Sequence, residues 1–332
     1  MVVIAVAAPA GAASRPAPCD VAADTPAAAP YVIVLSAFPA ELAPLVEAAD
    51  IEDTVLVDGR PYYRGRLDGA SVVLGLTLIG MVNAETQTRS VLRAFEAGAL
   101  VMSGVAGSHH RIGDVVVAAA WREEGRRKRR RVNAALLALA RRGAAVPLEA
   151  CTPVPPSSPD NPIVCMPHAP AVVFEDLGES GDDFDGEALA CVPGAGEIFG
   201  CELPEPAAAT APVAIAEQYP DAIDMETAAV ARVAAEHRVP FVAMRAVSDG
   251  AGDPLGDRGF PAQFFDYYAL AARNAAAVTR AVIAELVAVG ARSDGPRVCG
   301  LLAKGKWRRA ARLIYQSMKI GSFVAVSRNT LP

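Results

Sequence analysis

The sequence predicts an α/β fold in which a largely parallel sheet is covered by helices on both faces. Short runs rich in Val, Ile and Leu alternate along the chain with segments whose apolar residues recur every three or four positions. This alternation is typical of buried parallel strands connected by helices. The 332 residues are 52% hydrophobic and 20% charged, which excludes wholesale disorder and allows a sizeable core.

Individual elements can be placed from these patterns. The apolar runs that predict strands are Val32 to Leu35, Ser71 to Leu78, Leu100 to Ser103, Asp114 to Ala118 and Phe241 to Val247. The patterns that predict helices are Val82 to Phe95, Thr227 to His237 and Tyr267 to Val287. A further helix is expected after the first strand, because Pro39 suits a first helical position.

Charge and hydropathy exclude two classes of protein. The net charge is −6, although the segment from Arg297 to the end contains eight basic and no acidic residues, so the rest of the chain is more acidic than the total indicates. An acidic body does not suit a nucleic-acid-binding protein. No apolar stretch of about 18 residues occurs in the body of the chain, so no integral membrane segment is expected.

The two ends differ from the body in composition. Residues 1–30 combine a short apolar run with a Pro/Ala-rich linker, as in the later part of a secretory signal. We therefore expect an exported protein, periplasmic or extracellular; a cytoplasmic one is the alternative if this segment is not a signal. Residues 291–332 form a basic extension, expected to be poorly ordered, with an amphipathic helix on a membrane or partner as the alternative.

The intervening residues 31–290 are expected to form one domain with an irregular insert at about 149–212, rich in Pro, Gly and acidic residues. The basic run Arg122 to Arg131 predicts a solvated loop, or else an anion-binding one.

The six cysteines form no CxxC pair, and none lies near a histidine at zinc-finger spacing. We therefore expect no metal site, and the sequence indicates no cofactor. Cys151 with Cys165, and Cys191 with Cys201, have spacings that suit loop-closing disulfides in an oxidising compartment. Reduced, partly buried thiols are the alternative.

Carboxylates follow three of the predicted strand-like segments. Glu41 follows the first strand, Glu226 opens the helix at Thr227, and Asp249 follows the strand that contains Arg245. Each is ordinary by itself, as a helix-start or turn residue. Ligands of open α/β sheets bind at the carboxyl ends of the strands, so the three carboxylates are expected to converge on one cleft. The glycines of SGVAGS, at 103–108, allow close approach of a ligand to the backbone.

Four segments, in this order, resemble the nucleoside phosphorylase/nucleosidase family. They are VLSAFPAEL at 34–42, IGMVNA at 79–84, GVAGSHHRIGDVVV at 104–117, and DMETAAVA followed by VPFVAMRAVSD at 224–249. The resemblance extends from about Tyr31 to Val287 and is strongest to the methylthioadenosine/S-adenosylhomocysteine nucleosidases. It implies a twisted mixed sheet flanked by helices, and a homodimer in which the partner subunit completes the pocket.

The resemblance also implies catalytic roles. Asp249 would be the general acid that protonates purine N7, and Glu41 the base that takes a proton from the attacking water. Arg245 and Ser248 would orient Asp249. Cleavage passes through an oxocarbenium-like state, so a raised pKa suits the acid and an ionised carboxylate suits the base.

Substrate contacts are implied for a further set of residues. Glu226 would bind the ribose hydroxyls, Met225 would pack on the sugar, and Phe199 of the GEIF segment would stack on the base. The loop after the third predicted strand would contribute Val105, Ala106 and Gly107.

The resemblance favours water over phosphate as the nucleophile. The phosphorylases of the family place an Arg just before this loop and Ser or Thr within it, whereas here the stretch is Val101 to Val105 without that Arg. Val105 also replaces the Ser or Thr that hydrolysing members usually have. Phosphorolysis and non-catalytic nucleoside binding or storage therefore stay open as alternatives to hydrolysis.

Overall fold

The computed structural model of the chain describes residues 30–154, 161–203 and 221–290. The basic extension, and the signal-like segment apart from residue 30, lie outside these ranges. Of the helices in the described ranges, none has the length and hydropathy needed to cross a membrane.

A large mixed sheet forms the centre of the described structure, and a two-stranded sheet lies beside it. In chain order the strands are β1 (Tyr31–Ser36), β2 (Asp50–Val57), β3 (Arg60–Leu67), β4 (Ala70–Leu76), β5 (Ala97–Arg111), β6 (Val115–Ala118), β7 (Ala120–Glu123), β8 (Arg130–Arg131), β9 (Cys151–Pro153), β10 (Ile163–Cys165), β11 (Val172–Glu175), β12 (Gly178–Ser180), β13 (Ile223–Asp224) and β14 (Phe241–Ala251).

The sheet follows the order β2-β3-β4-β1-β5-β13-β12-β7-β8, with β14 also beside β5, β6 beside β14, and β11 beside β6. Strands β1, β4, β5 and β14 pair in parallel, whereas the β2–β3 and β3–β4 pairs are antiparallel. Both the α/β class and the mixed sheet are confirmed. The five predicted strands correspond to β1, β4, β5, β6 and β14.

Six helices occur in the described ranges: α1 (Pro39–Ala48), α2 (Met81–Ala94), α3 (Ala134–Gly143), α4 (Gly196–Phe199), α5 (Thr227–His237) and α6 (Ala262–Gly290). The long α6 contacts β5 and β14 and packs against α1 and α3, while α2 packs against α5. Side chains such as Leu35, Leu100 and Val242 are fully buried in the core between these layers. The predicted helices correspond to α2, α5 and α6, and α1 begins at Pro39 as expected.

The antiparallel pair β2–β3 is not predicted by apolar runs. Most residues of β2 are exposed, since it is an edge strand, and its sequence DIEDTVLV is correspondingly polar. Its register comes from pairing with β3 rather than from burial. An edge strand of this kind leaves little hydrophobic signal in the sequence.

The insert at about 149–212 is more regular than expected where it is described. Strand β11 pairs in parallel with β6, and β12 joins β7 and β13, so two pieces of the insert are strands of the main sheet. Strands β9 and β10 form the separate antiparallel pair. Each of these strands has only three or four residues, too few for a periodic pattern, and neighbouring strands supply their hydrogen-bond partners.

Both expected disulfides are present: Cys151 is bonded to Cys165 and Cys191 to Cys201. The first joins the paired strands β9 and β10, and the second closes the loop around α4.

The basic run from Arg122 to Arg131 is the β7–β8 hairpin, and its tip, including Arg126 to Arg129, is exposed. The predicted solvated loop is thus a hairpin turn.

The Cys151–Cys165 disulfide joins residues 14 positions apart and so restricts the unfolded chain. The double substitution Cys151→Ser/Cys165→Ser removes this restriction and should lower the free energy of unfolding by about 3 kcal/mol. Denaturant unfolding of the oxidised protein measures this change. The single substitution Cys299→Ser is the control for loss of a cysteine. Equal stability of the double variant and the control would show that this disulfide does not form.

Candidate active site

Glu41 lies in the first turn of α1, directly after β1, and is fully buried. Its Oε2 accepts a hydrogen bond from the Ala37 N–H at 2.6 Å, and its Oε1 accepts one from the Val105 N–H, also at 2.6 Å. Each oxygen therefore has a backbone donor, one from the β1–α1 turn and one from β5. Backbone donors of this kind stabilise the ionised carboxylate.

The close approach of Glu41 to β5 requires a glycine at position 104. A Cβ on Gly104 would lie 2.3 Å from Oε1 of Glu41 and 2.5 Å from its Cδ. Gly104 belongs to the segment predicted to allow close approach of a ligand, and in the structure the group that approaches its backbone is the Glu41 carboxylate. Nearby, the Ser36 hydroxyl donates to the Ser103 carbonyl at 2.8 Å and fixes β1 against β5.

Arg245 is the buried cation of the site. It lies on β14 opposite Gly104 of β5 and is 2% exposed. Its Nε is 2.9 Å from Oδ2 of Asp224, and its Nη2 donates to Oε2 of Glu226 at 3.1 Å. Its Nη1 is 3.9 Å from Oε1 of Glu41. One guanidinium thus faces three buried carboxyl groups, and its orienting role toward Asp249 stays a prediction.

Burial raises the pKa values of two carboxyl groups in this cluster. Burial raises the pKa of Glu226 to about 8, with Asp224 and Glu41 adding to the effect and Arg245 opposing it. Burial also raises the pKa of Glu41, against the charge of Arg245 and the N–H groups of Val105 and Ala37. At neutral pH this cluster of buried carboxyl groups therefore retains a proton.

Glu226 is positioned by two chain segments. It immediately precedes α5, and its Oε1 accepts the N–H of Gly80 at 2.9 Å. Gly80 has φ +96°, a conformation that favours glycine, and it immediately precedes α2. The IGMVNA segment thus reaches the site through a backbone N–H.

Asp224 is the functional residue that sequence reasoning missed. Its Oδ1 accepts the N–H groups of Glu226 at 3.2 Å and Thr227 at 3.1 Å, and the Ser180 hydroxyl donates to the same oxygen. It therefore fixes both the start of α5 and the guanidinium of Arg245. The detectable signal is an aspartate three residues before a helix-initiating threonine, a pattern typical of capping.

Asp249 lies farther along β14, paired with Gly107 of β5 across an irregularity in the register. It is 3% exposed, and the Ser248 hydroxyl donates to its Oδ1 at 2.6 Å. Ser248 also contacts the carbonyl of Ala106 at 3.5 Å. The expected contact between Ser248 and Asp249 is present. Gly107, the β5 partner of Asp249, lies three residues after Gly104, whose backbone adjoins Glu41.

A shallow, mostly apolar depression adjoins Glu41 through Ala37. Phe199 lines it together with Leu78 and Ile79, and is 46% exposed. Met225 is half-buried next to Glu226. The side chains of Val105 and Ala106 are buried and carry no polar atoms. These residues therefore contribute to the site through the Val105 N–H and the Ala106 carbonyl.

The structure thus joins Glu41, Val105, Glu226 and Arg245 in one network of contacts, with Ser248 and Asp249 in a second group on the same strand pair. Phe199 adjoins the first group through the depression. Glu41 and Asp249 come from elements more than 200 residues apart, and the parallel pairing of β5 with β1 and β14 brings their strands together.

Sequence comparison finds relatives of known and unknown function. An uncharacterized protein of Mycobacterium tuberculosis is 32% identical over 210 residues, which cover 54% of this chain and 82% of that protein. The 5′-methylthioadenosine/S-adenosylhomocysteine nucleosidase of Tolumonas auensis is 27% identical over 263 residues, covering 76% of this chain and 98% of that enzyme.

Solved structures share the fold. The 5′-methylthioadenosine/S-adenosylhomocysteine nucleosidase of Colwellia psychrerythraea, in complex with adenine, matches with a TM-score of 0.55 and 20% identity over 78% of this chain and 96% of that one. The futalosine hydrolase of Helicobacter pylori matches with a TM-score of 0.51 and 18% identity over 77% and 97%. At these identities the likeness shows the fold alone.

The family model described as the phosphorylase superfamily matches residues 31–166 and 180–284. The match covers the β1–α1 turn with Glu41, the Gly104 to Gly107 stretch of β5, and the segments that contain Glu226, Arg245 and Asp249. With this coverage of sheet and site, the chain belongs to the phosphorylase superfamily.

Proposed function

We propose that the protein hydrolyses the N-glycosidic bond of purine nucleosides and releases the base, with 5′-methylthioadenosine and S-adenosylhomocysteine as its expected substrates. The observation that supports this most is the buried Glu41 carboxylate, which two backbone N–H groups hold against β5. Asp249 lies on β14, the strand paired with β5. The nucleosidases among the relatives support the same reaction class.

Glu41 is the proposed base. The N–H groups of Ala37 and Val105 hold its carboxylate in one orientation, and burial raises its pKa, which makes it a stronger base than an exposed glutamate. It takes a proton from water as the water oxygen bonds to C1′ of the ribose.

Asp249 is the proposed acid. It delivers a proton to N7 of the purine, so that the electron pair of the breaking C1′–N9 bond leaves with a neutral base. The Ser248 hydroxyl fixes its Oδ1, which limits the orientations of the carboxyl group. Acid assistance of this kind contributes about 10²- to 10⁴-fold to a rate.

The sugar and base are proposed to lie between these two groups. Glu226, oriented by Gly80 and Arg245, binds the ribose hydroxyls near the developing positive charge. Met225 packs on the sugar and Phe199 on the base. The apolar residues that line the depression beside Phe199 offer a surface for contact with a purine face or a thioether substituent.

Charge at the site favours water over phosphate. Arg245 is the buried cation next to Gly104, and its guanidinium is already balanced by Asp224, Glu226 and Glu41. A phosphate dianion placed there would face the negative charge of these carboxylates, and Arg245, the buried cation in the described part of the site, is already paired with them. Neutral water carries no such electrostatic cost.

Export and homodimer formation complete the proposal. Two disulfides in the described ranges support an oxidising compartment.

Exposed apolar side chains at Val192 and Phe199, beside the depression, support coverage by a partner subunit in a homodimer.

The first test is base release from methylthioadenosine, adenosine and inosine by the purified protein, with and without phosphate. We expect adenine and free methylthioribose without phosphate, because the site lacks an uncompensated cation for phosphate. Chromatography of both products measures the reaction. A strict phosphate requirement with a sugar 1-phosphate product would indicate a phosphorylase, and no release from any nucleoside would indicate a binding protein.

The acid role predicts that Asp249→Asn lowers kcat by about 10²- to 10⁴-fold, because the amide cannot donate the proton to N7 as a carboxylic acid does. Nucleoside binding, measured by calorimetry, should be retained. The exposed Asp176→Asn is the control for loss of a carboxylate. Unchanged turnover in Asp249→Asn would contradict the assignment.

The base role predicts a pH dependence. Since the base acts when ionised and burial raises the pKa of Glu41, kcat/KM should fall as the pH is lowered, starting above the range expected for an ordinary glutamate. Glu41→Gln should lose most activity at every pH, whereas Glu47→Gln, an exposed carboxylate on the same helix, should retain the wild-type profile. A near-normal rate for Glu41→Gln would mean that another group activates the water.

A further inference from the structure

A second cluster of polar side chains lies near the end of β5, beyond the proposed active site. It consists of His109 and His110 of β5 and Glu175 of β11, and we call it the histidine cluster. One ring nitrogen of each histidine and one carboxylate oxygen lie within 4.8 Å of one another. We propose that the histidine cluster binds a divalent transition-metal ion of the Zn²⁺ type.

The geometry suits convergence on one ion. Nε2 of His110 is 2.9 Å from Oε1 of Glu175, and the two imidazole rings lie 4.2 Å apart between centroids. Zinc ligands lie about 2.0 to 2.2 Å from the metal, so small side-chain rotations bring these three atoms to bonding distance. Oδ1 of Asp221 lies 3.7 Å from Nδ1 of His109, so this carboxylate is placed to orient the His109 ring.

The donor types select the class of ion. Two imidazole nitrogens with one or two carboxylate oxygens suit zinc and its transition-metal neighbours, whereas magnesium and calcium favour oxygen ligands throughout. The His110 and Glu175 side chains are only 19% and 28% exposed, and that of His109 is 52% exposed. An ion can therefore enter from solvent and exchange part of its hydration shell for protein ligands.

The bound ion would connect two separate parts of the fold, since the histidines belong to β5 and Glu175 belongs to the inserted strand β11. Asp221, which contacts His109, precedes β13. The Ser108 hydroxyl already donates to the Asp221 carbonyl, so β5 and this segment are in contact without metal. We assign the ion a structural role, since its ligands are distinct from the carboxylates placed in catalysis.

The sequence expectation of no metal site relied on cysteine spacing and did not cover this cluster. Its histidines are adjacent in sequence, and Glu175 follows 65 positions after His110 in the insert. Only the parallel pairing of β11 with β6, which is itself paired with β14, places this carboxylate beside β5.

The test is a titration of tag-free, metal-stripped, oxidised protein with Zn²⁺ by calorimetry, with thermal unfolding as a second readout. Cys19→Ser/Cys299→Ser serves as the background for all variants, so that no cysteine other than those of the two described disulfides is present to bind zinc. We expect one ion per chain and a rise in Tm. His110→Ala and Glu175→Gln should each weaken binding at least tenfold and reduce the rise in Tm.

His237→Ala is the matched control, because this exposed histidine lies at the end of α5 outside the cluster. It should bind zinc like the background protein. Absence of stoichiometric binding to the background protein would overturn the proposal, as would binding that survives both His110→Ala and Glu175→Gln. Mg²⁺ in place of Zn²⁺ should give no rise in Tm. Because the readouts are binding and Tm, the result is independent of nucleosidase activity.

Discussion

The site depends on one buried guanidinium. Arg245 is enclosed by Asp224, Glu226 and Glu41, which come from two other regions of the chain. Removing one partner from a buried ion pair typically costs about 3–5 kcal/mol, because the remaining charge is left without compensation. The β1–α1 turn, the start of α5 and strand β14 are therefore held together by the same charge that orients the proposed ribose-binding carboxylate.

A close backbone approach makes this charge cluster possible. The carboxylate of Glu41 lies where a side chain at position 104 would begin, and the N–H of the next residue, Val105, binds it. Any Cβ at position 104 would push Glu41 away from both Val105 and Arg245. Because Arg245, Glu41, Asp224 and Glu226 belong to one network, such a shift affects several groups together.

Burial and the polar neighbours of Glu41 and Glu226 have opposite effects on the pKa values of these two groups. It raises the pKa values of Glu41 and Glu226, while backbone N–H groups and Arg245 favour their ionised forms. Together these effects raise the pKa of Glu226 to about 8. The two backbone N–H groups that donate to Glu41 keep its carboxylate oriented. Carboxyl groups in different environments can thus have different protonation states at one pH, which acid–base chemistry requires.

Local patterns in the sequence predict the α/β class, the strands and helices with long apolar patterns, the family, and the positions of Glu41, Glu226 and Asp249 after their strands. These predictions rely on local periodicity and on short family-like segments such as DMETAAVA, neither of which requires coordinates. Tertiary structure alone decided the β2–β3 pair, the strands within the insert, the role of Asp224 as partner of Arg245, and the meeting of His110 with Glu175. The physical reason is that these features arise from pairing between distant segments, and short or polar strands and single side chains leave no periodic signal.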